Sequence, residues 1–127
     1  MVGYRTPLAR VRGLGSAKDG TDHFWKQRLT AVANLILISF AIYLVVGLAG
    51  ADYPIVKKTL ARPQNAIPLL LLILSGVTHM RLGMQNIIED YVHAEGYKVA
   101  ALLLNSFFTA LVGLVCAYAV LKLSFGA

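Results

Sequence analysis

The chain has 127 residues, 57% of them hydrophobic and 14% charged, with a mean hydropathy of +0.66. That balance excludes an ordinary small water-soluble domain, where about a quarter of the residues are charged. The net charge of +6 does not mark a nucleic-acid binder either, because the basic residues flank long uncharged runs instead of forming one patch.

Residues 1–20 hold four glycines, one proline and the basic side chains Arg5, Arg10, Arg12 and Lys18. Such a segment is expected to lie extended over a partner or over lipid headgroups. Ser16 offers a hydroxyl there, to a ligand or to local backbone. A helix is predicted from about 22 to 50, with Thr21 or Asp22 as its N-cap. Leu29 to Ala51 is 23 residues without a charge, and about 20 apolar helical residues cross a bilayer core of about 30 Å. His23, Trp25 and Arg28 stand at the mouth of this first span. Trp25 suits the interfacial depth where indole is common. Arg28 either snorkels to phosphates or holds an anion such as a carboxylate. Thr30 and Asn34 lie deeper, and an asparagine inside a span must face a neighbouring helix to be paired.

Asp52 to Asn65, with two lysines and two prolines, reads as an interfacial connector without chemistry. The second predicted helix covers about 64–92 and starts its span near Ala66, so that Pro68 falls in a first turn, where a missing N–H costs nothing. Its uncharged run, Pro63 to Met80, is 18 residues. Within Ser75–Tyr91, the residues Ser75, Gly76, His79, Gly83, Asn86 and Asp90 share a small polar face. Gly83, Asn86 and Asp90 return to within about 40° of the direction of His79. Val77, Leu82, Met84 and Ile88 form the opposite face, apolar enough for lipid or a core. Arg81 points about 160° away from His79, and Asp90 lies about 16 Å further along the axis, at the membrane edge.

A turn at His93–Gly96 leads to a third helix, about 97–123, whose uncharged run Val99 to Leu121 has 23 residues. Asn105, Thr109 and Gly113, spaced by four, form a close-packing stripe. Tyr118 and Lys122 anchor its outer end. Cys116, alone in the chain, cannot form an internal disulfide and fills space as a small apolar group. The fold class expected is therefore all-α, a single membrane domain over 1–127 with three transmembrane helices. Setting Arg81 aside, seven basic residues (Arg5, Arg10, Arg12, Lys18, Lys26, Arg28, Lys98) face four (Lys57, Lys58, Arg62, Lys122) across the membrane. The positive-inside tendency then puts the N-terminus in the cytoplasm or matrix. The first apolar stretch begins only after 28 residues and lacks a cleavage-like end, unlike a secretory signal.

Ionisable groups inside a span are costly, which makes His79 the first functional candidate. A packing histidine, a proton relay and a metal ligand all fit its position. Neighbouring glycines would let a flat macrocycle approach the helix, and imidazole ligates iron. His23 and His93 lie at the edge, so a second axial ligand to such an iron would come from another chain. Asp90 and Tyr91 end their helix at the same level as Trp25 and Arg28. Those groups are either solvated charge at a helix end or a polar pocket for a quinone. A quinone head takes up two electrons and two protons. It is served by a hydroxyl donor, a carboxylate relay and a cation that steadies negative charge.

The pattern His79-x3-Gly83-x6-Asp90-Tyr91 resembles the small membrane-anchor subunits of succinate dehydrogenase, respiratory complex II. The upstream block GSAKDGTDHFWKQRLTAVAN is similar to the entry into the first span in the alphaproteobacterial and mitochondrial-type branch. Together the two cover about 35 residues, and three spans with the N-terminus inside match the whole chain. The resemblance implies that His79 is one axial ligand of a haem b, whose other histidine comes from a second cytochrome b-type anchor subunit. It implies that Asp90 and Tyr91 belong to the ubiquinone site, with Tyr91 donating to a quinone carbonyl, and that Trp25 and Arg28 border it. Arg28 occupies the family's position near the haem propionates. An iron–sulfur subunit and a flavoprotein subunit, where succinate is oxidised, complete the implied partners. The implied location is a bacterial cytoplasmic membrane or, alternatively, the mitochondrial inner membrane. A fumarate reductase anchor, another small cytochrome b and a non-redox membrane scaffold are the competing readings.

Overall fold

The computed structural model describes residues 6–13 and 19–126. Among these, five helices follow one another: α1 (Pro7–Val11), α2 (Asp19–Gly47), α3 (Tyr53–Leu60), α4 (Pro63–Tyr91) and α5 (Glu95–Ser124). Three of them, α2, α4 and α5, are long and apolar enough to cross a membrane. Ser16 lies outside the described residues.

Several boundaries differ from the sequence expectation, for local reasons. In place of an uninterrupted extended lead-in, residues 7–11 form one short helix, started by a proline whose fixed φ suits the first helical position. Helix α2 begins at Asp19, before Thr21 and Asp22, so neither caps it. Asp22 instead sits in the first turn, 3.8 Å from Lys26 one turn on. The connector after α2 turns at Gly50, at φ +79°, a left-handed conformation that favours glycine. It then folds into α3, begun by extended Asp52 and Pro54. Asn65 Nδ2 donates to the Thr59 carbonyl at 2.8 Å and ties α3 to the next helix. Helix α4 starts at Pro63, one residue before the expected 64, which places Pro68 inside the helix and not in its first turn. Pro63 takes the position that suits proline, and Pro68 leaves one carbonyl of the preceding turn without its helical donor.

Helix α4 is the middle member of the bundle. It packs against α2 on one side and α5 on the other, while α2 and α5 make no close backbone approach. The α4–α5 seam rests on the predicted stripe. Asn105 and Thr109 are buried, Asn105 Nδ2 donates to the Arg81 carbonyl at 2.9 Å, and a Cβ on Gly113 would stand 3.4 Å from Val77 Cγ2. Small residues allow such approach in lipid, where packing and hydrogen bonds replace the hydrophobic drive. The inward stripe of α2 changes character half-way. His23, Gln27, Thr30 and Asn34 come first, then Leu37, Ala41, Leu44 and Leu48 at the same three-and-four spacing, all half-buried or buried. Among the described residues only Leu44, Ala66, Ile88, Asn105 and Thr109 are buried. Most large apolar side chains point outward, as lipid-facing helices require.

Candidate functional site

His79 sits half-buried on α4 and faces the polar half of α2. Its Nδ1 lies 3.1 Å from Thr30 Oγ1. The Thr30 hydroxyl has one proton, turned back on its own helix toward the Lys26 carbonyl at 2.7 Å, with the Gln27 carbonyl 3.1 Å away. The oxygen can then only accept from the ring, so the hydrogen-bond network assigns the proton to Nδ1 and the free lone pair to Nε2. Among the described residues Nε2 has no hydrogen-bond partner. Ser75, one turn earlier on α4, donates its hydroxyl to the Thr30 carbonyl at 3.2 Å. Thr30 is thus fixed from two points on α4, and through it so is the rotation of the ring.

Beside His79 lies a cavity of about 490 Å³, lined among others by His23, Gln27, Arg28 and Asn86. Arg28 stacks over Phe24 at 4.7 Å, and Phe24 meets Trp25 edge to face at 5.8 Å. Two polar atoms at this cavity, His23 Nε2 and Gln27 Oε1, are buried without a partner, as is Asn34 Oδ1 deeper on the same stripe. Buried polar atoms are nearly always satisfied, so these three point to groups supplied from outside the chain. The two glycines on the face of His79 behave differently. A Cβ at Gly76 would meet nothing within 4 Å, whereas one at Gly83 would stand 3.4 Å from Gln27 Nε2. Only Gly76 offers bare surface to a flat ring; the space over Gly83 is taken by Gln27.

The other candidates do not converge within this chain. Trp25 and Tyr91 are 63% and 76% exposed, Asp90 is exposed, and none of the three lines the cavity shared by Arg28 and His79. Arg81 belongs to a different cavity, with Lys26. Among the described residues no three of His, Cys, Asp and Glu come together to hold a metal ion. Sequence reading passed over Gln27 and gave Thr30 no role. The signal for both was the three-and-four spacing of polar residues from His23 to Asn34.

Residues 3–113 match the family model for the succinate dehydrogenase/fumarate reductase transmembrane subunit. The chain belongs to that family. The succinate dehydrogenase hydrophobic membrane anchor subunit of Paracoccus denitrificans is 30% identical over 124 residues, covering 98% of this chain and 95% of that one. Its counterpart from Rickettsia bellii is 35% identical over 89 residues, 70% and 71% of the two chains. The succinate dehydrogenase membrane anchor subunit of Reclinomonas americana is 33% identical over 90 residues, 68% and 75%. No solved structure matches the chain. As a member of the family it is a multi-pass transmembrane subunit of an oxidoreductase complex, in a bacterial inner membrane or the mitochondrial inner membrane.

Proposed function

We propose that this chain is the smaller of two membrane anchors of a succinate:ubiquinone oxidoreductase, holding one side of a haem b and part of the ubiquinone-reduction site. The observation that carries the reading is the 3.1 Å contact between Thr30 Oγ1 and His79 Nδ1, which anchors one ring nitrogen and leaves Nε2 without a partner among the described residues, on a ring lining a cavity with an arginine. His79 would ligate the iron, Arg28 would neutralise a propionate, and bare Gly76 would accept the edge of the ring. When bound, the haem supplies a one-electron relay. The chain's own part is to orient the imidazole through Thr30, to place a cation beside an anion, and to hold that cation over the Phe24 ring.

At the end of α4, Asp90 and Tyr91 stand exposed, at the end of the bundle where α2 begins. Tyr91 donates its hydroxyl to a quinone carbonyl, Asp90 passes the proton that reduction consumes, and Arg28 steadies the developing negative charge. Because these side chains are exposed rather than pocketed, the remaining walls of the site come from the second anchor and the iron–sulfur subunit. Succinate oxidation belongs to the flavoprotein chain, since nothing in this sequence resembles a nucleotide-binding motif.

The test is purification of the intact assembly in mild detergent, with identification of its chains and an optical spectrum. Iron–sulfur, flavoprotein and second-anchor chains together with a Soret band are expected. Purification with unrelated membrane proteins and no Soret band would leave a non-redox scaffold as the better account.

A further inference from the structure

On the face of the bundle opposite His79, a second cavity of about 470 Å³ opens where all three long helices contribute. Its positive groups are Lys26 from α2 and Arg81 from α4, with Gln85 and Ser106 alongside. No carboxylate among the described residues comes within ion-pair distance of Arg81. Lys26 has only Asp22, 3.8 Å away with both side chains largely exposed, a pairing worth little in water. The neighbouring hydroxyls are already committed as donors. Ser106 bonds the Leu102 carbonyl at 3.0 Å, Thr109 bonds that of Asn105 at 2.8 Å, and Thr78 bonds that of Leu74 at 2.7 Å. The Gln85 amide is held by Glu89 at 2.7 Å. The free charged donors in this cavity are those of the two cations, with the second Gln85 N–H beside them.

Two apolar grooves leave this cavity toward the bilayer centre on the same face. One, of about 320 Å³, runs between α2 and α4 past Ala33, Leu37 and Leu71, and shares Thr78 with the cationic cavity. The other, of about 430 Å³, runs between α4 and α5 past Leu70, Ile73 and Gly113, and shares Val77, Thr109 and Ala110 with it. Leu74 borders both grooves and separates them. From Leu70 to Thr78 the grooves run about 12 Å along the helix axis.

The geometry points to a binding site for one anionic diacyl phospholipid, its phosphate between Lys26 and Arg81 and its two acyl chains on either side of Leu74. The fork selects the occupant. A helix of another subunit offers one ridge and a prenylated quinone one tail, whereas two parallel grooves under one cationic head fit two chains joined at a phosphate. Charge selects the lipid class, since the two cations line the cavity itself while the nearby carboxylates stand outside its lining, Asp22 loosely beside Lys26 and Glu89 on the Gln85 amide, and this favours a net-negative headgroup over a zwitterionic one. Arg81 provides bidentate donors for phosphate oxygens, and Lys26 acts as a point charge.

The test uses the intact complex, stripped of lipid by detergent exchange and titrated with phosphatidylglycerol or phosphatidylcholine in mixed micelles, with bound lipid counted by native mass spectrometry. Tight retention of phosphatidylglycerol is expected, weakened about fivefold by each of Lys26→Gln and Arg81→Gln. Ala117→Trp, which blocks one groove outside the cationic cavity, should weaken the diacyl lipid but not its single-chain lyso form. Arg81→Lys keeps the charge and provides a folded comparison if the glutamine variant assembles poorly. Unchanged retention in both charge variants overturns the site. So does equal protection by inorganic phosphate alone, or cross-linking of Arg81 to an acidic residue of another subunit in place of lipid.

Discussion

Replacing Thr30 by valine keeps the shape of the side chain and removes one oxygen, the acceptor 3.1 Å from His79 Nδ1. The lost donation to the Lys26 carbonyl matters little, because such back-bonding adds nothing to a helix. The bond to the ring is the loss that counts. Side-chain hydrogen bonds between membrane helices average about 0.6 kcal/mol and reach about 1.7, and an orphaned buried donor costs about 1–3. For a half-buried ring we expect about 1 kcal/mol of lost local stability. If His79 holds haem iron, the same bond also tunes the couple. Ferric iron draws more density from the ring than ferrous iron and makes Nδ1–H the better donor, so removing its acceptor disfavours the oxidised state. A difference of about 0.6 kcal/mol is about 25 mV for one electron, so Thr30→Val should raise the midpoint potential by up to about that amount. Redox titration of the haem absorption bands measures it, with Thr30→Ser as the variant that restores the acceptor and the wild-type potential. A Thr30→Val complex with normal haem content, the wild-type potential and an unchanged low-spin EPR signal would refute the argument. In that case Thr30 would be a packing residue and the Nδ1 proton would find another acceptor.

Other outcomes follow from the same geometry. His79→Ala should abolish the Soret band of the purified complex while succinate oxidation with an artificial acceptor persists, and a surviving band would place the ligand elsewhere. Tyr91→Phe and Asp90→Asn should slow quinone reduction at least tenfold, the scale of a lost catalytic proton donor or relay, with little effect on the artificial-acceptor assay; an equal fall in both assays would indicate failed assembly. On the α4–α5 seam, Gly113→Ala should be nearly neutral, because its Cβ only touches Val77 at 3.4 Å. Gly113→Leu should cost about 1–3 kcal/mol by overpacking, read as a lower midpoint for detergent-induced dissociation of the complex.

Much of the architecture could be read before any coordinates. Three charge-free runs announced three spans, and the spacing of Asn105, Thr109 and Gly113 named the seam that packs against α4. Helix ends were less legible. Pro68 read as a first-turn proline, whereas the extended Arg62 followed by Pro63 puts it inside the helix. Helix α3 was hidden because Tyr53–Leu60 is short and carries Lys57 and Lys58, so it looked like loop. At the site, periodicity placed His79 and Arg81 on opposite faces, as the two cavities show. Periodicity along one helix cannot say which residue of another helix stands opposite. The Thr30 contact and the occupation of Gly83 by Gln27 depend on how α2 and α4 cross, so they stayed invisible. Trp25, Asp90 and Tyr91 are all exposed and line neither the cavity beside His79 nor the one beside Arg81.

The open arrangement of α2 and α5 about α4 bears on the life of this protein in the cell. With only five buried residues among those described, the solitary subunit has almost no interior of its own to resist membrane proteases. Its abundance should therefore follow that of its companions, and unassembled copies should turn over quickly. Synthesis in step with the rest of the complex is then a physical requirement of the shape, as much as a matter of supply.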